Sequence, residues 1–323
     1  MTEFLHGLGT AERERIAALR AQGRFFWLDI SLSDTSHDLL METLDAPRSA
    51  IQVLRGSGDS RASRALHADG ASIGFVLRCY VESGLPPDQA ASRLRPVRVE
   101  VVVTADYLIT LHDERVSLPA VLAPELPSER GPRYVVYAVL DAMIESTFDG
   151  LEEVEVTLDA LAATWTDGDG TLLPRATLRE AGARLASMRR WVTAEQAVFG
   201  RLGVEIGALR GFGASEPSFD RLDEQVDRVL ASIDAAANAM GMLLDLQLNQ
   251  RAYLVSVVAT IFVPLTFVTG FFGMNFGWMV DHIDSEVAFL LLGLTVPVAT
   301  AVLAWRFLVR RFLLGDTPGP RRR

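Results

Sequence analysis

Lysine is missing from the 323-residue chain: all 31 basic residues are arginine, set against 41 acidic ones for a formal charge of −10. That balance argues against nucleic acid as a partner, because binding phosphate requires a basic surface. Cysteine is nearly missing as well. Cys79 stands alone, so no intramolecular disulfide and no cysteine cluster for zinc or iron–sulfur can form. Its apolar surroundings predict a small buried residue on a strand. The roughly 250 residues ahead of the apolar runs hold no glycine-rich phosphate loop, no HExxH and no nucleophile elbow, so an enzyme is not expected. No resident cofactor is expected either. Met1 to Thr10 lack a basic stretch followed by an apolar one, the mark of a signal peptide.

Charge itself is missing from two long stretches, Ala252 to Val280 and Val287 to Trp305. Each exceeds the roughly 18 residues that mark a candidate membrane helix. Arg251 precedes the first run, Arg306, Arg310, Arg311 and Arg321 to Arg323 follow the second, and the loop between has acids but no arginine. The positive-inside rule then predicts a two-span hairpin in the inner (plasma) membrane with both termini cytoplasmic. The lipid bilayer is thus one expected partner.

Ahead of the hairpin the periodicity changes. Phe26 to Ile30, Ile51 to Leu54, Ile73 to Val81, Val97 to Thr104 and Tyr107 to His112 read as strands, with a helix-like segment from Asp34 to Leu44. Thr104-Ala105-Asp106-Tyr107 reads as a hairpin turn and Gly56 to Gly70 as a polar loop. After Pro132, Tyr137, Leu140, Ile144, Thr147, Leu151, Val154, Leu158, Leu161 and Trp165 recur at steps of three and four, the seam of a coiled-coil-like helix. Asp167 to Thr171 ends it as a turn; the glutamate that closes a calcium loop is lacking. A second row runs from Leu178 through Leu185, Val192, Glu195 and Phe199 to Leu209, and closes at Gly211-Phe212-Gly213. The third, Leu222, Val226, Val229, Ile233, Ala236, Met240 and Leu243, continues without a break into the first apolar run. It predicts one helix from Ser218 to Phe272, about 80 Å long.

The expected architecture is an α/β cytoplasmic domain (1–130), long antiparallel coiled-coil-like helices (131–248), a first transmembrane helix (249–276), an external loop (277–286), a second transmembrane helix (287–309) and a basic tail (310–323). The acids Glu145, Asp149, Glu152, Glu153, Glu155 and Asp159 read first as the solvated face of a helix and second as a run that attracts metal toward a pore.

The first span is more than apolar bulk. Asn249, Ala252, Val255, Ala259, Val263, Thr266 and Gly270 follow steps of three and four and are small or weakly polar. Such a face suits close packing between membrane helices, or a narrow wetted path. Tyr253 to Phe276 reads YLVSVVATIFVPLTFVTGFFGMNF, followed by a second span and the basic tail Trp305-Arg306-Phe307-Leu308-Val309-Arg310-Arg311. With its Gly273-Met274-Asn275 triplet, this closely resembles the first transmembrane helix and signature loop of the CorA/ZntB family of divalent-cation transporters.

The resemblance implies a homopentameric funnel whose first spans line a central pore. It makes Gly273, Met274 and Asn275 the selectivity ring, Asn249 and Thr266 polar rings, and Val255 and Val263 an apolar constriction. Five amide oxygens would hold a divalent cation through its waters, which Mg²⁺ gives up reluctantly. Independently of family, one pore-lining helix per chain requires several copies to enclose a path.

Magnesium-type members carry Phe-Glu and then Met-Pro-Glu after the triplet; here Phe276 is followed by Gly277-Trp278-Met279-Val280-Asp281. Asp281, His282 and Asp284 are left to draw cations to the outer mouth, and His282 with its acids could alternatively capture zinc. Asn249 to Leu254 and Thr269-Gly270 look more like the zinc-type branch. Mg²⁺, with Co²⁺ or Ni²⁺ accompanying it, is weighted first and proton-coupled Zn²⁺ transport second. Asp220, Asp223 and Asp227 share one face of the third long helix, where they could bind a regulatory metal or simply favour the helix dipole. A membrane-anchored coiled-coil scaffold would explain the helices but neither the stripe nor the Gly-Met-Asn turn.

Overall fold

The computed structural model describes residues 3–31, 37–44, 66–83, 92–112, 118, 131–167, 173–212, 218–274, 277 and 285–308. The chain divides into two compact units, Met1–Gly241 and Met242–Arg323.

The first unit is built on a six-stranded sheet of order β1-β2-β6-β5-β4-β3. The strands are β1 (Glu3–His6), β2 (Phe26–Ser31), β3 (His67–Ala68), β4 (Ser72–Glu82), β5 (Leu94–Thr104) and β6 (Tyr107–His112). β1 and β6 flank β2 in parallel, and the remaining pairs are antiparallel. Helix α1 (Thr10–Ala21) makes the crossover that a parallel β1–β2 pair demands. One face of β2 and β6, with Phe26, Leu28, Ile30, Ile109 and Leu111, buries Ile16 and Leu19 of α1 and Leu40 and Leu44 of α2 (His37–Leu44) in a single core. At the β5–β6 turn the Thr104 hydroxyl oxygen accepts the N–H groups of Asp106 (3.2 Å) and Tyr107 (3.1 Å), which locks the hairpin read from the sequence.

The structure departs from the sequence reading in three places. β1 and α1 were not anticipated. β3 falls within the stretch read as a loop from Gly56 to Gly70, whereas α2 fills the expected Asp34 to Leu44 from His37 onward, its first three expected residues lying outside the described ones. The expected strand Ile51 to Leu54 lies outside the described residues. Glu153 is no solvated acid: its carboxylate is half-buried, accepting the N–H of Leu94 (3.0 Å), the Ser92 hydroxyl and the Arg184 guanidinium (3.0 Å), and so pins the start of β5. Glu145, Asp149, Glu152, Glu155 and Asp159 are exposed.

Three long helices follow: α3 (Pro132–Asp167), α4 (Arg175–Ala208) and α5 (Asp220–Phe272). The seam of α4 is buried at Leu178, Ala181, Leu185, Met188, Val192, Glu195, Phe199, Leu202 and Ile206. Its counterparts on α5 are buried at Leu222, Val226, Val229, Ile233 and Ala236. α3 and α4 solve a problem posed by the sheet. Among the described residues β4 pairs with β3 only at Ile73 and Gly74, and no other described strand meets the rest of its outer edge. There the N–H of Arg78 donates to Glu195 Oε1 (2.7 Å) and that of Tyr80 to Ser146 Oγ (2.9 Å). Helix side chains thus stand where another strand would pair, which protects an edge that would otherwise recruit a foreign chain. α3 passes so close that a Cβ on Gly150 would lie 2.7 Å from the Tyr80 ring.

In the second unit the apolar part of α5 ends at Phe272. A single turn (Glu286–Ala288), a π-helical segment (Phe289–Thr295) and α6 (Val296–Leu308) then follow. Pro297 has no N–H and its ring excludes the carbonyl four residues earlier, so the α-helical ladder breaks ahead of it and a wider π turn carries the chain across. The Thr295 hydroxyl bonds the Leu290 carbonyl, five residues back, at 3.1 Å. Among the described residues one helix, α5, is long and apolar enough to cross a membrane; the apolar stretch Leu290–Arg306, within the expected second span, is shorter.

Replacing Ser146 by Ala leaves the Tyr80 N–H without an acceptor. It is expected to cost about 1–3 kcal/mol in denaturant unfolding, whereas Thr164→Ala, exposed on the same helix, should cost less than about 0.5 kcal/mol.

Candidate functional site

Between Ala252 and Phe271 only Val257, Ile261, Pro264, Leu265 and Val268 are half-covered, and they form one row of α5. The stripe Asn249, Ala252, Val255, Ala259, Val263, Thr266 and Gly270 lies outside that row, and every one of its members is exposed. Val255 and Val263, the candidate constriction, expose 69% and 66% of their surface. A Cβ on Gly270 would have nothing within 4 Å, so no contact inside one chain calls for a glycine there.

The polar side chains of this segment are oriented by their own helix. The Thr266 hydroxyl donates to the Phe262 carbonyl (2.7 Å), Thr260 to Ser256 (2.8 Å) and Thr269 to Leu265 (3.0 Å). Each hydroxyl hydrogen is therefore committed to the backbone, and the oxygen presents only lone pairs outward. Lone pairs are what the hydrogens of cation-bound water seek. Pro264, inside the helix, supplies no N–H to the Thr260 carbonyl, which frees a further acceptor.

At the outer end the Gly273 N–H bonds the Thr269 carbonyl (2.9 Å) and that of Met274 bonds Phe271 (3.3 Å). A Cβ on Gly273 would come within 3.2 Å of the Thr269 carbonyl oxygen, tighter than ordinary contact, which explains a glycine where the helix closes. Met274 is exposed. Asn275, Asp281, His282 and Asp284 lie outside the described residues.

Asp220, Asp223 and Asp227 do share a face, turned toward glycines of α4. Asp223 lies 3.9 Å from a Cβ built on Gly200, and Asp220 lies 3.8 Å from one built on Gly203. Asp227 Oδ1 accepts Gln196 Nε2 at 2.6 Å, and Asp220 Oδ2 accepts the Ser218 hydroxyl at 2.9 Å. Burial, then the charges of Asp227, Asp220 and Glu224, raises the Asp223 carboxyl above its ordinary value. Among the described residues no group of three or more His, Cys, Asp or Glu is arranged to hold a metal ion.

Two polar sites were missed in the sequence. Asp29 is fully buried in β2, where it accepts the Thr110 hydroxyl (2.6 Å) and the Leu118 N–H (3.0 Å), with His6 and His112 each 3.3 Å away. Glu195 was read only as a position on the seam, yet it is an acid inside the helical core. In both cases the available signal was an acid within an apolar pattern.

Residues 22–311 match the family described as CorA-like Mg²⁺ transporter protein. The chain belongs to that family, one of metal-ion transport and of membrane character. It is 23% identical over 290 residues to the zinc transport protein ZntB of Pectobacterium atrosepticum, covering 86% of this chain and 85% of the relative. It is 24% identical over 153 residues to the cobalt/magnesium transport protein CorA of Thermotoga maritima, covering 45% and 43% of the two chains. In fold it is similar to the CorA magnesium transporter of Methanocaldococcus jannaschii, with a TM-score of 0.55 and 16% identity over 88% of this chain and 90% of the other.

If Gly270 meets a neighbouring copy, Gly270→Leu is expected to shift the detergent-solubilised protein toward smaller assemblies in native mass spectrometry. Unchanged assembly would place Gly270 away from any contact between copies, on the path or against lipid.

Proposed function

We propose that this chain carries divalent metal cations across the membrane through a path enclosed by several copies of α5, with the stripe from Asn249 to Gly270 facing the path. The observation that carries the reading is that stripe: its seven members are all exposed, and its Thr266 presents lone pairs alone. Gly273, Met274 and Asn275 form the ring at its outer end. There Asn275 amides hold the hydrated ion through its waters. Val255 and Val263 close the path by dewetting. Asp281, His282 and Asp284 concentrate cations at the mouth. Five copies, two spans per chain and cytoplasmic termini complete the reading. Entry is driven by the membrane potential, about 2.3 kcal/mol per charge per 100 mV and doubled for a divalent ion.

Two ions are put forward. The Gly-Met-Asn ring suits Mg²⁺, the ion weighted first from the sequence. The extent of similarity favours Zn²⁺, since the relative named as a zinc transporter matches along 86% of the chain and the one named for cobalt and magnesium along 45%. That difference moves Zn²⁺ level with Mg²⁺.

The test is uptake into proteoliposomes holding a metal-sensitive dye, under an inside-negative potential, with and without a pH gradient. Mg²⁺ entry indifferent to the pH gradient is the expected signature of a channel; Zn²⁺ entry that follows the gradient is that of a proton-coupled carrier. In either case Asn275→Ala should lower flux or selectivity at least tenfold with the protein still folded. Entry of neither ion above protein-free liposomes would leave the membrane-anchored scaffold as the reading.

A further inference from the structure

We propose that Glu195 is a proton-operated latch: as the neutral acid it lets α3, α4 and α5 close over the edge of β4 at Arg78, and its ionisation loosens that closure. The geometry is a pocket of about 10 Å³, at the limit of what holds one water, at the junction of these four elements. Leu77 and Arg78 line it from β4, Met143, Ile144 and Thr147 from α3, Val192 and Phe199 from α4, and Val226 and Val229 from α5. Glu195 is thus both the acceptor for the Arg78 N–H (2.7 Å) and a member of the seam that α4 buries.

The charges around it are few. β4 contributes the Arg78 guanidinium, which lies over the Trp191 ring at 5.8 Å, and the Cys79 thiol, which burial pushes up to about 12. Arg98 of β5, paired across the sheet with Arg78, is engaged by Glu100 at 3.4 Å. The residues of α3 and α5 that line the pocket carry no ionisable group. Next to Glu195 on α4, Gln196 is bonded to Asp227 of α5. Burial dominates this balance and raises the Glu195 carboxyl well above its ordinary range, with Arg78's charge and N–H opposing it.

The sign follows. A carboxyl that holds its proton more tightly when packed than when released favours the closed state most at low pH. The advantage is lost as pH rises from the ordinary carboxyl range, about 4.3, toward the raised value, by about tenfold in the opening equilibrium per pH unit. Val226 and Val229 belong to the helix whose later residues form the apolar segment, so what loosens is the root of that helix. The inference concerns the first unit alone and stands whichever ion, if any, the protein carries.

Hydrogen exchange on the full chain in nanodiscs tests it between pH 5.5 and 8.5, with rates corrected for the pH dependence of exchange chemistry. Protection of Arg78, Tyr80 and the Val192 to Phe199 stretch is expected to fall about tenfold per pH unit over at least the lower part of that range. Glu195→Gln, a neutral isostere that keeps an acceptor for Arg78, should be flat. The infrared band of a buried protonated carboxyl should be present in the parent protein and absent from the variant. Flat protection in the parent protein, or a slope that survives in Glu195→Gln, would overturn the latch.

Discussion

Among the described residues β3 reaches the outer edge of β4 at only two positions, and helix side chains satisfy N–H groups farther along that edge. An unpaired buried N–H costs about as much as a lost hydrogen bond. Ser146 and Glu195 remove that cost, and to do so α3 and α4 must lie against the sheet at fixed register. Gly150 permits the approach, and Tyr80 and Trp191 fill the space beside it, with ring centroids 6.1 Å apart. The apolar seams of α3, α4 and α5 are buried as well, and the two polar side chains fix where α3 and α4 meet the sheet.

In the second unit the same accounting applies without water to help. A helix in hydrocarbon must satisfy its polar groups internally. The threonines of α5 do so by donating to their own backbone, at Thr260, Thr266 and Thr269. That self-satisfaction leaves oxygens that only accept, on a helix whose stripe is small and uncovered. Toward lipid such oxygens find no donor and toward water they do, which agrees with membership of a family of metal-ion transporters.

Much of this was legible in the sequence because the signals were local. The seam of α4 could be counted off at steps of three and four, the Thr104 to Tyr107 turn announced itself, and the absence of any break after Leu222 foretold a helix that runs from Asp220 to Phe272. Long-range contacts were not legible. Asp29 finds His6, Thr110 and Leu118 at separations of 23, 81 and 89 residues, and Arg78 finds Glu195 at 117. β1 is only four residues long, and α1 buries just Ile16 and Leu19, so neither left a strong periodic trace. Glu153 looked like one more acid on a charged helix, because its partners Ser92 and Leu94 lie 61 and 59 residues away along the chain. The stripe of α5 was visible as a pattern, but its exposure emerges only once the half-covered row at Val257, Ile261 and Val268 is known.

The central claim is that this stripe faces water within an assembly. The chain provides its own clean background for cysteine scanning, since Cys79 is buried with its thiol pushed up to about 12, and a thiol held in that state is inert. Single cysteines placed along α5 from position 249 to 270, in reconstituted protein treated with a charged thiol reagent, measure water access residue by residue. The account predicts modification at 249, 252, 255, 259, 263, 266 and 270 that declines toward the valine constriction when the path is closed, with 257, 261 and 268 protected. Uniform protection of the stripe, or labelling with no helical period, would contradict it.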